Sequence, residues 1–306
     1  MERKRYSKIL ILLAFCAIYF VWGTTYLANL FALKGFPPFI LAVFRYLSAG
    51  ILLALYAVFS GLRWPDASDF KTLAISGIMM LVGGSGLVAY AQLYIGSGYA
   101  AAIIATEPLW FVLLDRKRFK MYFSRIWILI GLVVGFAGIA WYSFFSPESA
   151  NATGSSHWSG TILLMLGSVF WVLGALYADR HLKADSPNVT GTAIQLFAAS
   201  GISVVIAFFR DEWTDFTWTG ISTEGWAGFG YLVVMGSVVA FLAFNLLIKA
   251  QPPAIVSTHT YVNPVVAIFM GWLIVGEKIS LTQGLGLAGV FVGVLLIQLN
   301  KPKETP

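Results

Sequence analysis

Long apolar runs, separated by short polar or Gly/Pro-containing segments, follow one another along almost the whole chain. About 20 consecutive apolar residues form an α-helix that is long enough to cross a bilayer. Separators such as GFPP, GLRWPD and DRKRFK contain residues typical of turns and interfacial loops. The pattern predicts ten membrane-spanning helices, called spans 1 to 10 in chain order, over residues 8–32, 38–60, 70–94, 99–115, 124–145, 158–179, 189–209, 225–248, 253–275 and 280–299.

The composition agrees with an all-α integral membrane protein. Hydrophobic residues make up 58% of the 306 residues and charged residues only 11%, whereas soluble domains contain about 25% charged residues. A soluble fold of this length would need more polar surface, and the ten runs leave no room for a separate soluble domain. The single cysteine, Cys16, excludes an intrachain disulfide and a cysteine-based zinc site. We therefore expect neither a metal nor a cofactor.

The net charge of +6 comes from basic residues in the short segments between spans. If the N-terminus is cytoplasmic, sixteen lysines and arginines fall in inner segments, and only Lys34, Arg210 and Lys278 fall in outer ones. Basic residues beside apolar spans set membrane orientation. The charge therefore indicates membrane topology and no nucleic-acid partner, and it predicts that both termini face the cytoplasm.

The two halves of the chain contain weakly similar segments at a nearly constant offset. Residues 16–26 align with 167–177, and Pro108 aligns with Pro264. The sequence therefore predicts a first repeat over 1–146 and a second over 147–306. Each repeat holds five spans, an odd number, so the second must be inverted relative to the first. Inverted repeats are typical of secondary transporters, whose substrate sites lie near the membrane midplane between the repeats.

Three segments resemble EamA-type permeases of the drug/metabolite transporter superfamily: YFVWGTTYLANLFAL, PPFILAVFRYLSAGILL and STHTYVNPVVAIFMGWLIVGEKIS. The resemblance covers essentially the whole chain. It implies a ten-helix carrier of the inner membrane, often an exporter of amino acids or other small metabolites. It also implies a central cavity lined mainly by spans 1, 3, 4, 6, 8 and 9. Glu107 is not expected at this family position, so the resemblance assigns it no role.

Two titratable residues lie well inside the predicted spans. Glu107 is near the middle of span 4, where a carboxylate is costly unless it faces a cavity or a partner. It is either a proton-coupling or substrate-amine site, or an internal hydrogen-bonding group. His259, in span 9, could relay protons or bond to a neighbouring backbone. Asn263 is one turn further on, at the position equivalent to Glu107, and could bind exposed backbone or a ligand.

Arg45 lies about a third of the way into span 2 from the outer side. Its long side chain could extend outward to the interface. Alternatively, it could pair with Glu107, form a gate contact, or bind a substrate carboxylate, which a guanidinium matches bidentately.

Pro108 and Pro264 occupy equivalent positions in spans 4 and 9. Proline removes a backbone donor and leaves carbonyls free. Free carbonyls at membrane depth must be satisfied by protein or by water in a cavity. The two prolines therefore predict helix breaks beside a binding site; the alternative is a pair of packing kinks.

Several aromatic side chains lie inside the spans and could form the wall of a small-molecule pocket. Trp110 follows Glu107 by three residues, so the two share a helix face. Asn245 is a polar candidate in span 8, where a helix–helix hydrogen bond is the alternative. The candidate substrate-binding residues are Trp22, Arg45, Tyr90, Glu107, Trp110, Trp171, Asn245, His259 and Asn263.

Glycines in spans 5 and 10 recur at spacings that let membrane helices approach closely, including Gly131, Gly138, Gly286 and Gly293. They indicate either packing within one chain or a dimer interface. We therefore expect a monomer, or a homodimer formed through spans 5 and 10.

These observations favour a carrier over an enzyme or a channel. The sequence contains no HExxH motif, no paired aspartates and no filter-like loop. We expect a secondary transporter that moves a small metabolite, an amino acid or a related amphiphile, across the cytoplasmic membrane by alternating access, with export implied by the resemblance. The alternative is a proton-coupled antiporter of organic cations or drugs. The expected partners are the substrate, the bilayer and, as a candidate coupling ion, the proton.

Overall fold

Helices account for all regular secondary structure in the computed structural model, which describes residues 6–117, 119–145, 155–183, 185–214, 216–251, 253–257, 259–276 and 280–300. The helices are α1 (Lys8–Ala32), α2 (Pro38–Phe59), α3 (Ala67–Ala91), α4 (Ser97–Ile104), α5 (Glu107–Leu114), α6 (Phe119–Phe123), α7 (Ile126–Phe145), α8 (Ser155–His181), α9 (Asn188–Phe209), α10 (Thr223–Ala250), α11 (Pro253–Val256), α12 (His259–Met270, extended by a π-helical turn Gly271–Val275) and α13 (Leu281–Leu299). A short 3₁₀ turn, Trp218–Gly220, precedes α10.

The lengths of these helices suit a multi-pass membrane protein. Within the described residues, six helical segments are long and apolar enough to cross a bilayer, and four shorter apolar helices accompany them. Large side chains on the outside of the bundle are strongly exposed, such as Phe59 at 85%, Phe209 at 79% and Leu281 at 83%. A soluble protein would bury such residues, whereas lipid solvates them. The chain is therefore an integral membrane protein, and the count of ten crossings stays a prediction.

Two of the predicted spans are interrupted. Span 4 consists of α4 and α5, with a non-helical step at Ala105 and Thr106. Span 9 consists of α11 and α12, and α11 ends at Val256 while α12 begins at His259. Hydrophobicity alone does not register a local break in backbone hydrogen bonding, so the prolines were the sequence signal that predicted breaks in these two spans.

π-helical turns interrupt three of the long helices. They cover Ala17–Val21 in α1, Ile78–Gly86 in α3 and Leu232–Ala240 in α10. The last two are separated along the chain by a distance that lies between the two separations of the sequence repeat, from residue 16 to residue 167 and from Pro108 to Pro264. A π-turn adds a residue to the helical turn and leaves carbonyls without their usual partners, and such turns are frequent at functional sites.

The core forms where helices from the two halves of the chain pack against each other. α1 packs on α10, α2 on α9, α3 on α8, α4 on α12 and α7 on α13. In terms of spans these pairs are 1–8, 2–7, 3–6, 4–9 and 5–10. Exchanging the halves, so that span 1 becomes span 6 and so on, leaves this set of pairs unchanged. Each half therefore covers apolar faces that the other half would otherwise expose.

The glycines of spans 5 and 10 lie at the contact between α7 and α13 within one chain. A side chain at Gly138 would place its Cβ 2.6 Å from the backbone nitrogen of Val290, and one at Gly131 would place it 2.5 Å from the carbonyl of Gly293. Only glycine allows two helix backbones to approach this closely. The glycine faces are therefore used for intrachain packing.

Candidate substrate cavity

A cavity with about 570 Å³ of empty volume, part of it open to solvent, lies between the two halves of the bundle. Both halves contribute to its wall. The lining residues are Trp22, Thr25, Tyr26, Asn29, Arg45, Gly84, Ser85, Val88, Ile104, Glu107, Gly167, Trp171, His259 and Asn263.

One face of α1 forms the longest continuous part of this wall. Trp22, Thr25, Tyr26 and Asn29 follow one another at the three- and four-residue spacing that keeps side chains on one side of a helix. The face begins directly after the π-turn Ala17–Val21. Ala28 and Ala32 of the same helix belong to the buried core, whereas this polar and aromatic strip is directed into the cavity.

Glu107 lies at the first position of α5, directly after the break in span 4. A carboxylate at a helix N-terminus interacts favourably with the helix dipole and with free backbone N–H groups. The residue is only 4% exposed. Its Oε2 atom has no hydrogen-bond partner in the described part of the chain. This oxygen is therefore available to a ligand or a proton.

The imidazole ring of His259 faces that oxygen. Its Nε2 atom lies 3.9 Å from Oε2 of Glu107, and its Nδ1 atom lies 2.9 Å from the carbonyl of Val256. If Nδ1 carries the proton and donates to this carbonyl, Nε2 of the neutral ring is an acceptor. The ring also contacts Trp22, with centroids 4.9 Å apart. A proton or a ligand donor can therefore be shared between Glu107 and His259.

Asn263 connects α12 to the π-turn of α1. With its amide nitrogen directed toward α1, it donates to the carbonyls of Tyr19 at 2.9 Å and Ile18 at 3.2 Å. Both carbonyls belong to the π-turn Ala17–Val21. The side chain thus satisfies backbone groups that the irregular turn leaves free. Of the two roles predicted for Asn263, binding exposed backbone is the one that these contacts favour.

Arg45 lines the cavity and does not extend to the interface. It is 7% exposed, and its Nε atom donates to Ser237 Oγ at 2.8 Å. The guanidinium passes closely over Gly236, where an added Cβ would lie 3.0 Å from Nη2. Among the residues that the structure describes, no carboxylate lies within 4.0 Å of Arg45, so it does not pair directly with Glu107. Its charge therefore remains available to a ligand anion.

Aromatic rings form the wall beside these charged groups. The Trp22 and Trp171 centroids lie 5.2 Å apart with nearly perpendicular ring planes, and Phe244 lies 5.2 Å from each of them. The Nε1 atom of Trp171 is buried and has no partner in the described residues. The prediction that Trp22 and Trp171 lie together with Glu107, His259, Asn263 and Arg45 therefore agrees with the geometry of the cavity.

Three of the candidate residues, Tyr90, Trp110 and Asn245, lie outside this cavity. Tyr90 contacts Arg210, whose Nη2 donates to the tyrosine oxygen at 2.7 Å. Trp110 donates to Thr106 Oγ1 at 3.1 Å and packs on Phe136.

Asn245 is buried among polar side chains of the helix interface and not in the cavity. Its Nδ2 donates to Thr192 Oγ1 at 3.0 Å and to Gln195 Oε1 at 2.7 Å. It therefore has the helix–helix role that was the alternative for this residue.

The two prolines do not have equivalent roles. Pro108 lies in the first turn of α5, where its missing N–H costs little, and the predicted break is indeed beside it. Pro264 lies inside α12, and the interruption of span 9 precedes His259. The prediction of a break at Pro264 is therefore wrong. Neighbouring helices allow proline to remain inside a membrane helix.

Sequence reasoning missed Thr25, Tyr26, Asn29 and Ser85, all of which line the cavity. The first three could have been found from their spacing to Trp22 along one helix face. Ser85 lies in the π-turn of α3, and its small neighbours Gly83 and Gly84 were the only sequence signal.

Comparisons with known proteins agree with this architecture. The EamA-like transporter family matches residues 8–144 and 158–299. The inner membrane transporter YedA of Escherichia coli (strain K12) is 32% identical over 94% of this chain and 90% of its own length. The transporter sll0355 of Synechocystis sp. is 28% identical over 97% of this chain and 92% of its own length.

A solved crystal structure has the same fold. It superposes with a TM-score of 0.69 and 17% identity, over 96% of this chain and 98% of the other. The fold, the family match over both halves and the YedA similarity agree with one another. The chain therefore belongs to the EamA-like transporter family and is a membrane transporter.

Proposed function

We propose that this protein is a secondary transporter that exports an amino acid or a related amphiphile across the cytoplasmic membrane by alternating access. The single observation that carries the proposal is that Arg45 and Glu107 line one cavity without pairing with each other. Unpaired charges of both signs inside a membrane protein are costly unless a ligand or a proton compensates them. A zwitterion compensates both, with its carboxylate at Arg45 and its ammonium at Glu107.

The aromatic rings support the same substrate class. Trp22 and Trp171 lie beside the charged groups and offer an apolar wall with indole faces. Such faces bind the apolar part of an amphiphile and also attract a cation. The backbone near Glu107 and His259 is irregular, as expected where helices end beside a substrate site.

The transport mechanism that we propose is a movement of the two halves around this cavity. We propose residues 1–146 and 147–306 as inverted repeats of five spans each, with both termini cytoplasmic. The pairing of helices between the halves supports this arrangement, because the set of pairs stays the same when the two halves are exchanged. The inner-membrane location is suggested by the name of the relative YedA. The chain acts as a monomer, or as a homodimer through the lipid-facing sides of α7 and α13.

A second candidate function is proton-coupled antiport of organic cations. The Glu107–His259 contact favours it, because a carboxylate that exchanges a proton for a cation needs no partner anion in the substrate. In this case Arg45 would have no role in binding. The two functions therefore predict different effects of an Arg45 substitution on ligand binding.

A thermal-shift screen of the purified full-length protein distinguishes the two functions. The probes are the common L-amino acids, their decarboxylated amines and tetraalkylammonium ions. A ligand at 100 times its Kd stabilises a protein by about 2.7 kcal/mol. Each probe that shifts the Tm is repeated with Arg45→Gln and Glu107→Gln, and with Arg63→Gln and Glu224→Gln as controls. Arg63 and Glu224 form exposed ion pairs outside the cavity.

We expect amino acids to shift the Tm of the wild type and of both controls, but of neither cavity variant. If amines and tetraalkylammonium ions shift the Tm and Arg45→Gln leaves the effect intact, the antiporter replaces the amino-acid carrier. If no probe of either class produces a shift, both proposals are contradicted.

A further inference from the structure

Two side-chain amides beside the cavity form a short hydrogen-bonded chain that determines the orientation of each. Gln92 Nε2 donates to the backbone carbonyl of Tyr26 at 2.8 Å. Asn29 Nδ2 donates to Gln92 Oε1 at 3.1 Å. A backbone carbonyl can only accept, so turning the Gln92 amide would place oxygen against oxygen, and turning Asn29 would do the same. The Asn29 amide is therefore held with Oδ1 away from Gln92.

The Asn29 oxygen that results from this orientation has no partner. Asn29 is 6% exposed and lines the cavity, and Oδ1 makes no hydrogen bond with the described part of the chain. Glu107 Oε2 and Trp171 Nε1, on the same cavity, are also buried without partners. Buried polar atoms of native proteins nearly always have a partner. Three such atoms around one cavity have no protein partner, so water or a ligand that enters the cavity must supply the missing groups.

Asn29 lies further along α1, away from the Glu107–His259 side of the cavity. It follows Trp22 by seven residues on α1, a rise of about 10 Å. Trp22 is the residue that contacts His259, the neighbour of Glu107. An α-amino group at Glu107 therefore leaves Asn29 to a more distant part of the same ligand. For an amino acid, the part that remains is the side chain.

We propose that Asn29 is a specificity-determining residue, whose Oδ1 atom accepts a hydrogen bond from the side chain of the transported amino acid. The site then selects amino acids whose side chains carry an O–H or N–H donor. This inference rests on the proposed function, because it assumes that the α-amino group is bound at Glu107 and the α-carboxylate at Arg45. Gln92 is a positioning residue, since it holds the Asn29 amide in the accepting orientation.

The physical basis is the cost of leaving a buried acceptor unpaired. A ligand without a donor displaces water from Asn29 Oδ1 and offers nothing in return, whereas a donor-bearing ligand replaces the lost hydrogen bond. Sites that are built to bond a polar group discriminate strongly against analogues that lack it. We expect the affinities to differ by about tenfold or more for matched ligands.

The test compares amino acids that differ by one side-chain donor, in wild-type protein in detergent by calorimetric titration. The pairs are L-threonine and L-valine, L-serine and L-alanine, and L-tyrosine and L-phenylalanine, which carry the hydroxyl at different distances from the α-carbon. We expect the tightest ligand to be a donor-bearing one, and its partner to bind about tenfold more weakly or worse. Equal binding within every pair, or tighter binding of the partner without a hydroxyl, overturns the role of Asn29.

Two variants test how the selection arises. Asn29→Leu removes the acceptor, and Gln92→Leu frees the Asn29 amide while leaving it in place. We expect the affinity ratio within the best pair to fall to near one in both variants. Asn245→Leu is the matched control, because Asn245 is a buried amide outside the cavity, and it should keep the wild-type ratio. A wild-type ratio in Asn29→Leu overturns the inference.

The outcomes for the two proposals are separable. If no amino acid binds the wild-type protein, the proposed amino-acid carrier fails, and the role of Asn29 fails with it. If amino acids bind and require Arg45 and Glu107, but hydroxyl-bearing ligands have no advantage, only the role of Asn29 is overturned.

Discussion

The Glu107 carboxylate faces His259 across 3.9 Å, from Oε2 to Nε2, at the point where spans 4 and 9 are both interrupted. The other ring nitrogen of His259 is bonded to the carbonyl of Val256. The two titratable groups therefore face each other between the halves of the chain, and any ligand amine or proton that enters the cavity meets both.

We predict that Glu107→Gln abolishes the pH dependence of transport. The substitution keeps the shape of the side chain but removes the only carboxyl group among the described residues that line the cavity. Substrate flux into proteoliposomes, measured over a series of external pH values, should vary with pH for the wild type and become flat and weak for the variant.

Glu224→Gln is the control for this measurement, because Glu224 pairs with Lys34 in an exposed position. Its pH profile should match that of the wild type. A Glu107→Gln protein with an unchanged pH profile would exclude Glu107 as the coupling group.

We predict that Asn263→Leu destabilises the protein by about 1–3 kcal/mol, the usual cost of leaving buried polar groups unpaired. The variant removes the amide that donates to Ile18 and Tyr19 in the π-turn of α1. Thermal unfolding in detergent measures the effect. The control is Asn300→Leu at the end of α13, where the amide donates to one carbonyl of its own helix; its Tm should change little. Equal Tm values for both variants would contradict the bridging role.

Gly138→Ala should lower the free energy of unfolding by about 1–3 kcal/mol, the range for overpacked interfaces. The added methyl group would meet the backbone of α13 at Val290, 2.6 Å away. Gly284→Ala, on α13, is the matched control, because no atom lies within 4 Å of its added Cβ. That variant should be neutral or slightly more stable, since alanine is the better helix former. The two Tm shifts measured in detergent should therefore have different signs.

Glu212 should make a pH-dependent contribution to stability. Its Oε2 accepts from the backbone nitrogens of Phe39 at 2.9 Å and Ile40 at 3.1 Å, at the start of α2. Desolvation raises the pKa of Glu212 and outweighs the hydrogen bonds and the nearby Arg210, which lower it. A carboxyl group with a raised pKa stabilises the folded state below its ordinary pKa of about 4.3. That contribution is lost as the pH rises through the folded-state pKa.

The measurement is the Tm as a function of pH in the mildly acidic range. The wild type should show a component that falls as the pH rises, and Glu212→Gln should lack it while keeping an oxygen that accepts from Phe39 and Ile40. Glu224→Gln should retain the wild-type profile. A wild-type pH profile in Glu212→Gln would contradict this assignment.

The positions of the helices could be predicted from the sequence because crossing a bilayer is a local requirement. Each long apolar run must satisfy its own backbone hydrogen bonds, so it forms a helix whatever its neighbours are. The intramembrane residues Glu107, Arg45 and His259 were recognisable for the same reason, since charged and titratable groups are costly in lipid. All three line the cavity.

Which face of each helix meets the cavity depended on tertiary structure. Two of the candidates that lie outside the cavity, Tyr90 and Asn245, each follow a π-turn, Ile78–Gly86 or Leu232–Ala240. Each extra residue in a π-turn rotates the following side chains by roughly 100° relative to a regular helix. Hydrophobic patterns do not reveal such rotations.

The sequence by itself thus determined a membrane transporter with charged groups in its interior and two similar halves. Only the tertiary structure decided that Arg45 bonds to Ser237 and not to Glu107, and that Glu107 faces His259. It alone also directs the Asn29 oxygen away from Gln92. The physical reason is that these contacts join residues far apart in the chain, and their geometry depends on irregular turns and close helix packing that local propensity does not encode.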